Sequence, residues 1–199
     1  MNKKLLVILL SNYGSVIGLG FYIPIFAIYV VKLGGTVQEA GIATAVYYIS
    51  AGALMLLFRV LVNNKKTRPT YYVWGNALEG VAALLYITVT SVTGFYIVQL
   101  VHGLATAMRV PSQRALYAQY QDRGKEGSEW SIMEGGNFVL IGLSAVAGGL
   151  VASNFSFHNV FMIVAGIQFI ATLHALRLYK KSRSRKGAQQ LKSEYSATR

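Results

Sequence analysis

The segment Val101 to Trp130, VHGLATAMRVPSQRALYAQYQDRGKEGSEW, decides the fold of this chain. It lies in the middle of a longer stretch, Gly94 to Phe161, in which two long runs with few charges flank a charged turn at Asp122 to Glu129. A helix needs about 20 mostly apolar residues to cross a hydrocarbon core of roughly 30 Å. The stretch therefore predicts two membrane-spanning helices joined by a short loop.

The overall composition is that of a membrane protein. Of the 199 residues, 54% are hydrophobic and only 13% are charged, which lies outside the range of ordinary soluble domains. The formal net charge of +12 comes from short basic clusters between apolar runs, so we expect a lipid bilayer and no nucleic acid as a partner. The sequence has no cysteine and none of the metal, dyad or phosphate-loop motifs of membrane enzymes. We therefore expect no cofactor, no metal and no enzymatic activity.

Turn residues divide the long apolar runs into single crossings. The first run, Leu5 to Val31, is too long for the apolar part of a signal peptide and no cleavage pattern follows it, so we expect a span. Turns at Thr90 to Gly94 and at Ser153 to Ser156 break runs that are too long for one crossing. The sequence predicts an all-α, six-span domain over residues 1–181, with spans at about residues 5–31, 40–61, 69–90, 94–118, 130–152 and 158–179. The basic, polar residues 182–199 predict a disordered cytoplasmic tail.

The basic residues orient the predicted spans. In the six-span arrangement, 18 of the 19 lysines and arginines fall on one side of the membrane, and only Lys32 falls on the other. Lysine and arginine mark cytoplasmic loops. We therefore predict a multi-pass protein of the plasma (inner) membrane with both termini in the cytoplasm.

A weak repeat relates the first three spans to the last three. The first span contains glycine, proline, alanine and tyrosine in the same order as the fourth, at similar but not identical spacing: Gly18, Gly20, Pro24, Ala27 and Tyr29 against Gly103, Ala105, Pro111, Ala115 and Tyr117. Two successive units of three spans have opposite orientations because three is odd. The sequence thus predicts two inverted three-helix repeats, an arrangement found in many transporters.

Three motifs resemble those of the major facilitator superfamily of transporters. Gly103 to Ala107, GLATA, is similar to the small-residue part of the fourth-span pattern, and Gly148-Gly149 is similar to the glycine pair of the fifth. Phe157 to Phe161, FHNVF, resembles the entry to the sixth span. Gln99 stands where the fourth-span pattern has arginine, and the loop after the second span keeps the basic residues of the family but not its acid and glycines. The resemblance covers about residues 5–181.

The resemblance implies a transporter half. Full-length members have two six-span halves related by an axis along the membrane normal, and this chain resembles one of them. It implies a subunit that moves a small solute by alternating access, as a homodimer or together with a second six-span half. The alternative is a non-transporting membrane scaffold, or a degenerate or truncated transporter half.

Ionisable residues inside the spans are candidates for ion or proton coupling, because a charge at mid-membrane costs at least about 2.5–3.5 kcal/mol. Glu79 lies about ten residues, roughly 15 Å, beyond Pro69 and so near the midplane. This position predicts either a proton or cation site or a carboxyl group that hydrogen-bonds a neighbouring span. Arg109 and Glu134 lie at similar predicted depths. We expect them to pair across the fourth and fifth spans, or else each to reach toward cytoplasmic water.

Polar side chains on the spans that line the cavity in this family are candidate substrate ligands: Asn12, Tyr13, Tyr47, Gln99, His102 and Asn137. Each of them could instead be a hydrogen-bonding group between packed helices. On the sixth span, Gln168 and His174 are interpreted as packing or interfacial groups. The basic residues of the cytoplasmic loop after the second span are Lys65, Lys66 and Arg68.

Overall fold

The structure, a computed structural model, describes residues 2–179, and over that range every regular element is helical. This confirms the predicted all-α class. The elements are α1 (Lys3–Tyr22), a 3-10 turn (Ile23–Ile25), α2 (Phe26–Lys32), α3 (Val37–Asn63), α4 (Arg68–Thr88), α5 (Val92–Tyr120), α6 (Glu126–Asn154) and α7 (Phe157–Ala175). The predicted tail, residues 182–199, lies outside the described residues.

The helices α1 and α2 form one continuous segment that a 3-10 turn interrupts at Pro24. Proline has no backbone N–H, so the helix loses a hydrogen bond there, and the chain forms the 3-10 turn Ile23–Ile25. The segment ends at Gly34, where a φ of +86° requires a residue without a Cβ atom. Pro111, by contrast, lies inside α5, which continues past it to Tyr120.

Hydroxyl side chains fix where three of the helices begin. Thr36 and Glu39 form a reciprocal capping box at the start of α3. Ser91 and Ser156 each accept a hydrogen bond from the backbone N–H three residues further on, at the starts of α5 and α7. Because these caps satisfy N–H groups that the helix itself leaves free, each helix can start directly after a short turn.

Four helices form the interior of the bundle and two flank it. α4 packs against α5 and α7, and α1 packs against α7. α3 contacts mainly α5, and α6 contacts mainly α1. Consequently, only 6% of the apolar stretch of α3 and 11% of that of α6 are buried inside the bundle, against 28% for Lys3–Lys32 and 39% for Phe157–Tyr179.

Four segments are long and apolar enough to cross a membrane: Lys3–Lys32, Val37–Asn63, Glu126–Asn154 and Phe157–Tyr179. The helices α4 and α5 are of comparable length, but they contain more polar residues. Six helical segments thus lie over the six predicted spans. That all six cross the membrane, and that they form two inverted repeats, stays a prediction.

A layer of buried polar side chains lies between two apolar clusters. We call the end of the bundle that holds Lys3, Lys65 and Arg123 the basic end. The cluster nearer to it includes Leu5, Ile8, Tyr72, Leu116 and Met133. The cluster toward the opposite end includes Val30, Ala83, Phe95, Val160 and Phe161. The buried polar side chains between them include Ser15, Asn76, Glu79, Thr106 and Gln168. Such groups need partners inside the protein, since lipid offers none.

Candidate functional site

An ion pair between Glu79 and Arg109 is the centre of the polar layer. Glu79 is the twelfth residue of α4, and Arg109 is eleven residues from the end of α5, so each lies about 16 Å from the basic end of its helix. The Arg109 Nε atom donates to the Glu79 Oε1 atom over 2.5 Å. The two side chains are 15% and 4% exposed. The pair is therefore a nearly buried, charge-assisted contact at mid-depth in the bundle.

The second carboxylate oxygen of Glu79 connects the pair to two further helices. Gln168 on α7 donates from Nε2 to the Glu79 Oε2 atom over 3.0 Å. The hydroxyl of Ser15 on α1 lies within reach of two acceptors, Asn76 Oδ1 at 2.8 Å and Gln168 Oε1 at 3.0 Å. A hydroxyl has one hydrogen to donate, so it serves one of them at a time. One network thus joins α1, α4, α5 and α7.

Gly75 explains how α4 and α5 come close enough for the ion pair to form. A Cβ atom at Gly75 would lie 2.6 Å from the backbone nitrogen of Arg109 and 2.8 Å from its Cα atom. Any larger residue would therefore push the two backbones apart. Glu79 follows Gly75 by four residues, which places both on the same face of α4. Small residues play this role at many close helix contacts in membranes.

A row of tyrosine, glutamine and histidine side chains extends from the ion pair toward the end of the bundle opposite the basic end. Gln99 donates to the Tyr22 hydroxyl over 3.0 Å, and Tyr22 donates to the Tyr86 hydroxyl over 3.3 Å. The Tyr86 hydroxyl lies 3.1 Å from Gln99 Oε1 and 3.2 Å from His102 Nδ1. Tyr47 on α3 shares a hydrogen bond of 3.1 Å with Thr106. These polar groups satisfy one another.

Two adjoining cavities lie beside this row. The smaller has a volume of about 60 Å³, and Glu79, Arg109 and Gln168 form part of its wall. The larger has a volume of about 330 Å³, at the lower end of the roughly 300–1,000 Å³ typical of ligand sites. The residues that line both cavities are Leu19, Tyr22, Tyr47 and His102.

The predicted ligand residues fall into two groups. Tyr47, Gln99 and His102 line the larger cavity, and Tyr47 and His102 also line the smaller one beside Glu79 and Arg109. The others lie on the seam between α1 and α6, where Asn12 donates to the side-chain oxygen of Asn137 over 2.8 Å and Tyr13 donates to the carbonyl of Ile132 over 2.6 Å. This second group therefore joins helices and lines neither cavity.

The expected pairing of Arg109 with Glu134 is wrong. Arg109 bonds Glu79, while the exposed Glu134 accepts a hydrogen bond of 3.4 Å from Asn137 on its own helix. The reason is the order of the helices: α5 packs against α3 and α4, and α6 packs against α1. Equal depth in the membrane placed the two charges at the same level but not on neighbouring faces.

The basic loop after α3 lies at the basic end, away from the cavities. Arg68 donates to the carbonyl of Val62 over 2.6 Å and to the side-chain oxygen of Gln119 over 3.1 Å, so it joins the ends of α3 and α5. Lys65 and Lys66 are exposed. These contacts give Arg68 a structural role at the end of the bundle.

The sequence analysis missed several members of the site. Ser15, Asn76, Tyr22 and Tyr86 were not selected, and Gln168 was interpreted as a packing group. One signal was available: Asn76 and Glu79 are three residues apart, which puts two polar side chains on one face of an otherwise apolar helix. For Tyr22 and Tyr86, nothing in the sequence distinguishes them from the other tyrosines of the chain.

The fold and the site together define a polytopic membrane protein with a cavity at mid-depth and an ion pair in its wall. A family model described as Major Facilitator Superfamily matches residues 7–197. The chain belongs to the major facilitator superfamily, whose members are membrane transporters. It is therefore an integral membrane protein of a transport family, as the resemblance in the sequence implied.

Two relatives and one solved structure show the extent of the likeness. The chain is 26% identical over 183 residues to an uncharacterized MFS-type transporter of Methanocaldococcus jannaschii, an alignment that covers 91% of this chain and 46% of the relative. It is 23% identical over 155 residues to the uncharacterized MFS-type transporter YitZ of Bacillus subtilis, covering 77% of this chain and 93% of the relative. The chain thus spans about half the length of the first relative.

The solved structure is that of the POT family transporter PepTSo. It superposes with a TM-score of 0.66 at 16% sequence identity, over 90% of this chain and 38% of that one. At this identity the likeness shows the fold alone. It agrees with the helix arrangement described above.

Proposed function

We propose that this chain is a transporter half that moves a small solute by alternating access, either as a homodimer or with a separately encoded second half. The observation that carries the proposal is the Glu79–Arg109 pair in the wall of a cavity at mid-depth. Charges are expensive in the membrane interior, and those that occur there commonly mark solute or ion pathways. Membership of a transporter family supports the same reading.

The larger cavity reaches the surface at α3, which favours a second half on that side. Large apolar side chains stand exposed along α3 and α6, among them Tyr48, Ile49, Leu57, Phe138, Val139 and Leu143. Tyr48 is 68% exposed and also lines the larger cavity, so this cavity reaches the surface of the bundle at α3. A second six-span unit placed against α3 would close the cavity on that side.

Transport can be tested by reconstituting the purified chain into sealed vesicles and measuring counterflow of a panel of labelled small solutes. We expect gradient-dependent uptake of at least one solute, reduced at least tenfold by His102→Ala in the cavity wall. The matched control is His158→Ala at the start of α7, which lines neither cavity and should leave uptake unchanged. A chain that is strictly monomeric and carries no solute would favour the non-transporting scaffold.

Assembly can be tested separately because the chain has no cysteine. Ile49 and Val139 are exposed and lie about 20 Å from the basic ends of α3 and α6, so cysteines at these positions are matched in depth. In a parallel homodimer that pairs α3 of one copy with α6 of the other, the Ile49→Cys and Val139→Cys copies crosslink. Ile170→Cys on the outer face of α7 is the control and should stay uncrosslinked. A crosslink to a different protein in native membranes would instead indicate a separately encoded half.

A further inference from the structure

We propose that the solute is a small organic anion, a monocarboxylate with an apolar or aromatic body, which binds to Arg109 together with a proton on Glu79. This deepens the proposed transport function and rests on it. The inference comes from the hydrogen-bonding state of the ion pair and from the shape and lining of the two cavities.

Arg109 lies in the wall of the smaller cavity and has hydrogen-bond donors that no acceptor among residues 2–179 uses. Its Nε atom bonds Glu79, but among residues 2–179 no protein acceptor bonds its Nη1 or Nη2 atoms. The side chain is 15% exposed and lines the cavity. The two terminal nitrogens form the edge of the guanidinium that matches a carboxylate with two parallel hydrogen bonds.

Most other polar groups around the cavity already have partners. Glu79 accepts at both oxygens, from Arg109 and from Gln168. The hydroxyls of Tyr22, Tyr47 and Tyr86 are bonded to neighbouring side chains. The Tyr86 hydrogen goes to Gln99, so the Nδ1–H of His102 donates to Tyr86, and the Nε2 atom of the neutral ring is an acceptor. The unused donors of Arg109 therefore favour an acceptor-rich ligand over a cation.

Charge balance makes the anion bring a proton with it. The empty site is neutral, because Glu79 and Arg109 cancel. Adding a monoanion leaves one uncompensated negative charge in a low-dielectric interior, which is strongly unfavourable. A proton from water on Glu79 restores neutrality: the carboxylate becomes a carboxylic acid, and Arg109 remains the counterion of the bound anion. The neighbouring Gln168 amide contains an acceptor as well as donors, so it can accommodate either form of Glu79.

Glu79 is the group best placed to take this proton. In the described part of the chain, the ionisable groups that interact with Glu79 are Arg109 and His102 on α5, Tyr47 on α3 and Tyr72 on α4. Tyr22 on α1 and Tyr86 on α4 line the same cavity. From α7, Glu79 meets the neutral Gln168. Glu79 is the one carboxylate in this set.

The larger cavity suits the apolar body of the anion. It adjoins the smaller one through four shared wall residues and adds the rings of Phe26 and Tyr48. Aromatic side chains offer flat apolar faces against which a ring or short hydrocarbon can pack. A carboxylate at Arg109 would therefore place its body among these rings.

Binding of benzoate to the full-length purified protein tests the inference, with benzamide as the uncharged analogue of the same shape. By isothermal titration calorimetry, we expect benzoate to bind at least tenfold more tightly than benzamide. In weakly buffered solution with a pH indicator, we expect about one proton to be taken up for each benzoate bound at neutral pH.

Two variants separate the roles of the pair. Glu79→Gln resembles the protonated carboxyl, so it should keep benzoate binding and lose the proton uptake. The double variant Arg109→Gln with Glu79→Gln contains neither charge and leaves no unpaired ion, so it should fold but bind benzoate at least tenfold more weakly. Elution as a single species in size-exclusion chromatography and an unchanged circular dichroism spectrum establish that each variant is folded.

Equal affinity for benzoate and benzamide would overturn the inference, as would benzoate binding that survives in the double variant. Absence of binding by benzoate and acetate alike, in a protein that carries an uncharged solute into vesicles, would refute the anion site and leave the transport function standing. Benzoate binding with proton uptake, in vesicles that show no counterflow of any solute in the panel, would support the anion site and contradict transport.

Discussion

The interior helices α4 and α5 differ from the flanking helices α3 and α6 in a way that reverses the usual rule for soluble proteins. The two flanking helices are apolar enough to cross a membrane, and only 6% of the apolar stretch of α3 and 11% of that of α6 are buried in the bundle. The interior pair is more polar and contains Glu79, Arg109, Gln99 and His102. Lipid accepts apolar side chains as readily as a protein core does, but it offers no hydrogen bonds. Between these two pairs of helices, the more polar pair is therefore the one that lies inside the bundle.

The largest effect is expected from breaking the interior pair on one side. Arg109→Gln leaves Glu79 either charged without a counterion or forced to take up a proton, and should lower the free energy of unfolding by about 3–5 kcal/mol. Unfolding by a denaturing detergent, followed by circular dichroism, measures the change. The control is Arg114→Gln, an exposed arginine on the same helix, which should change stability by less than about 0.5 kcal/mol. Equal effects of the two would contradict the buried position of Arg109.

The next effect concerns the contact between α4 and α5. Gly75→Ala puts a methyl group within 3 Å of the Arg109 backbone and should destabilise the protein by up to about 3 kcal/mol through overpacking. Gly52→Ala on the flanking helix α3 meets nothing within 4 Å and should be neutral or slightly stabilising, because alanine favours helix. The same unfolding measurement compares them. A neutral Gly75→Ala would mean that the two helices do not pack this closely.

The smallest effect compares two phenylalanines. Phe161 is 1% exposed and its ring lies 5.0 to 6.2 Å from those of Tyr22, Tyr29 and Tyr86. Phe161→Ala should lower the free energy of unfolding by about 1–2 kcal/mol through lost ring contacts. Phe138, 75% exposed on α6, should tolerate alanine in the monomer but weaken association measured by crosslinking. If Phe138→Ala destabilised the monomer as much as Phe161→Ala, the flanking position of α6 would be wrong.

Much of the fold could be predicted because length, turns and charges act locally. The apolar runs that follow Ser91, Ser156 and Pro69 predicted helices over residues that are helical in the structure. The glycine motifs indicated the family that the family model shows. Six crossings, the inverted repeat and the orientation of the termini stay predictions. They depend on where the membrane lies, which only the positions of charged and apolar residues indicate.

The site was harder to predict because depth along a helix does not determine which helices are neighbours. The spacing from Pro69 placed Glu79 near the middle of its helix, as the structure has it. The partner was wrong: Arg109 pairs with Glu79 on α4, and Glu134 lies on a helix that packs elsewhere. Gly75 determines the true partner, but its effect depends on a backbone contact that no local pattern reveals.

The pairing of Glu79 with Arg109 is tested most directly by a double-mutant cycle on the free energy of unfolding. Arg109→Gln, Glu79→Gln and the double variant should give a coupling energy of about 2–3 kcal/mol, with the double variant more stable than Arg109→Gln alone. The parallel cycle with Glu134→Gln should give a coupling near zero. Additive effects at positions 79 and 109, or strong coupling between 134 and 109, would contradict the account.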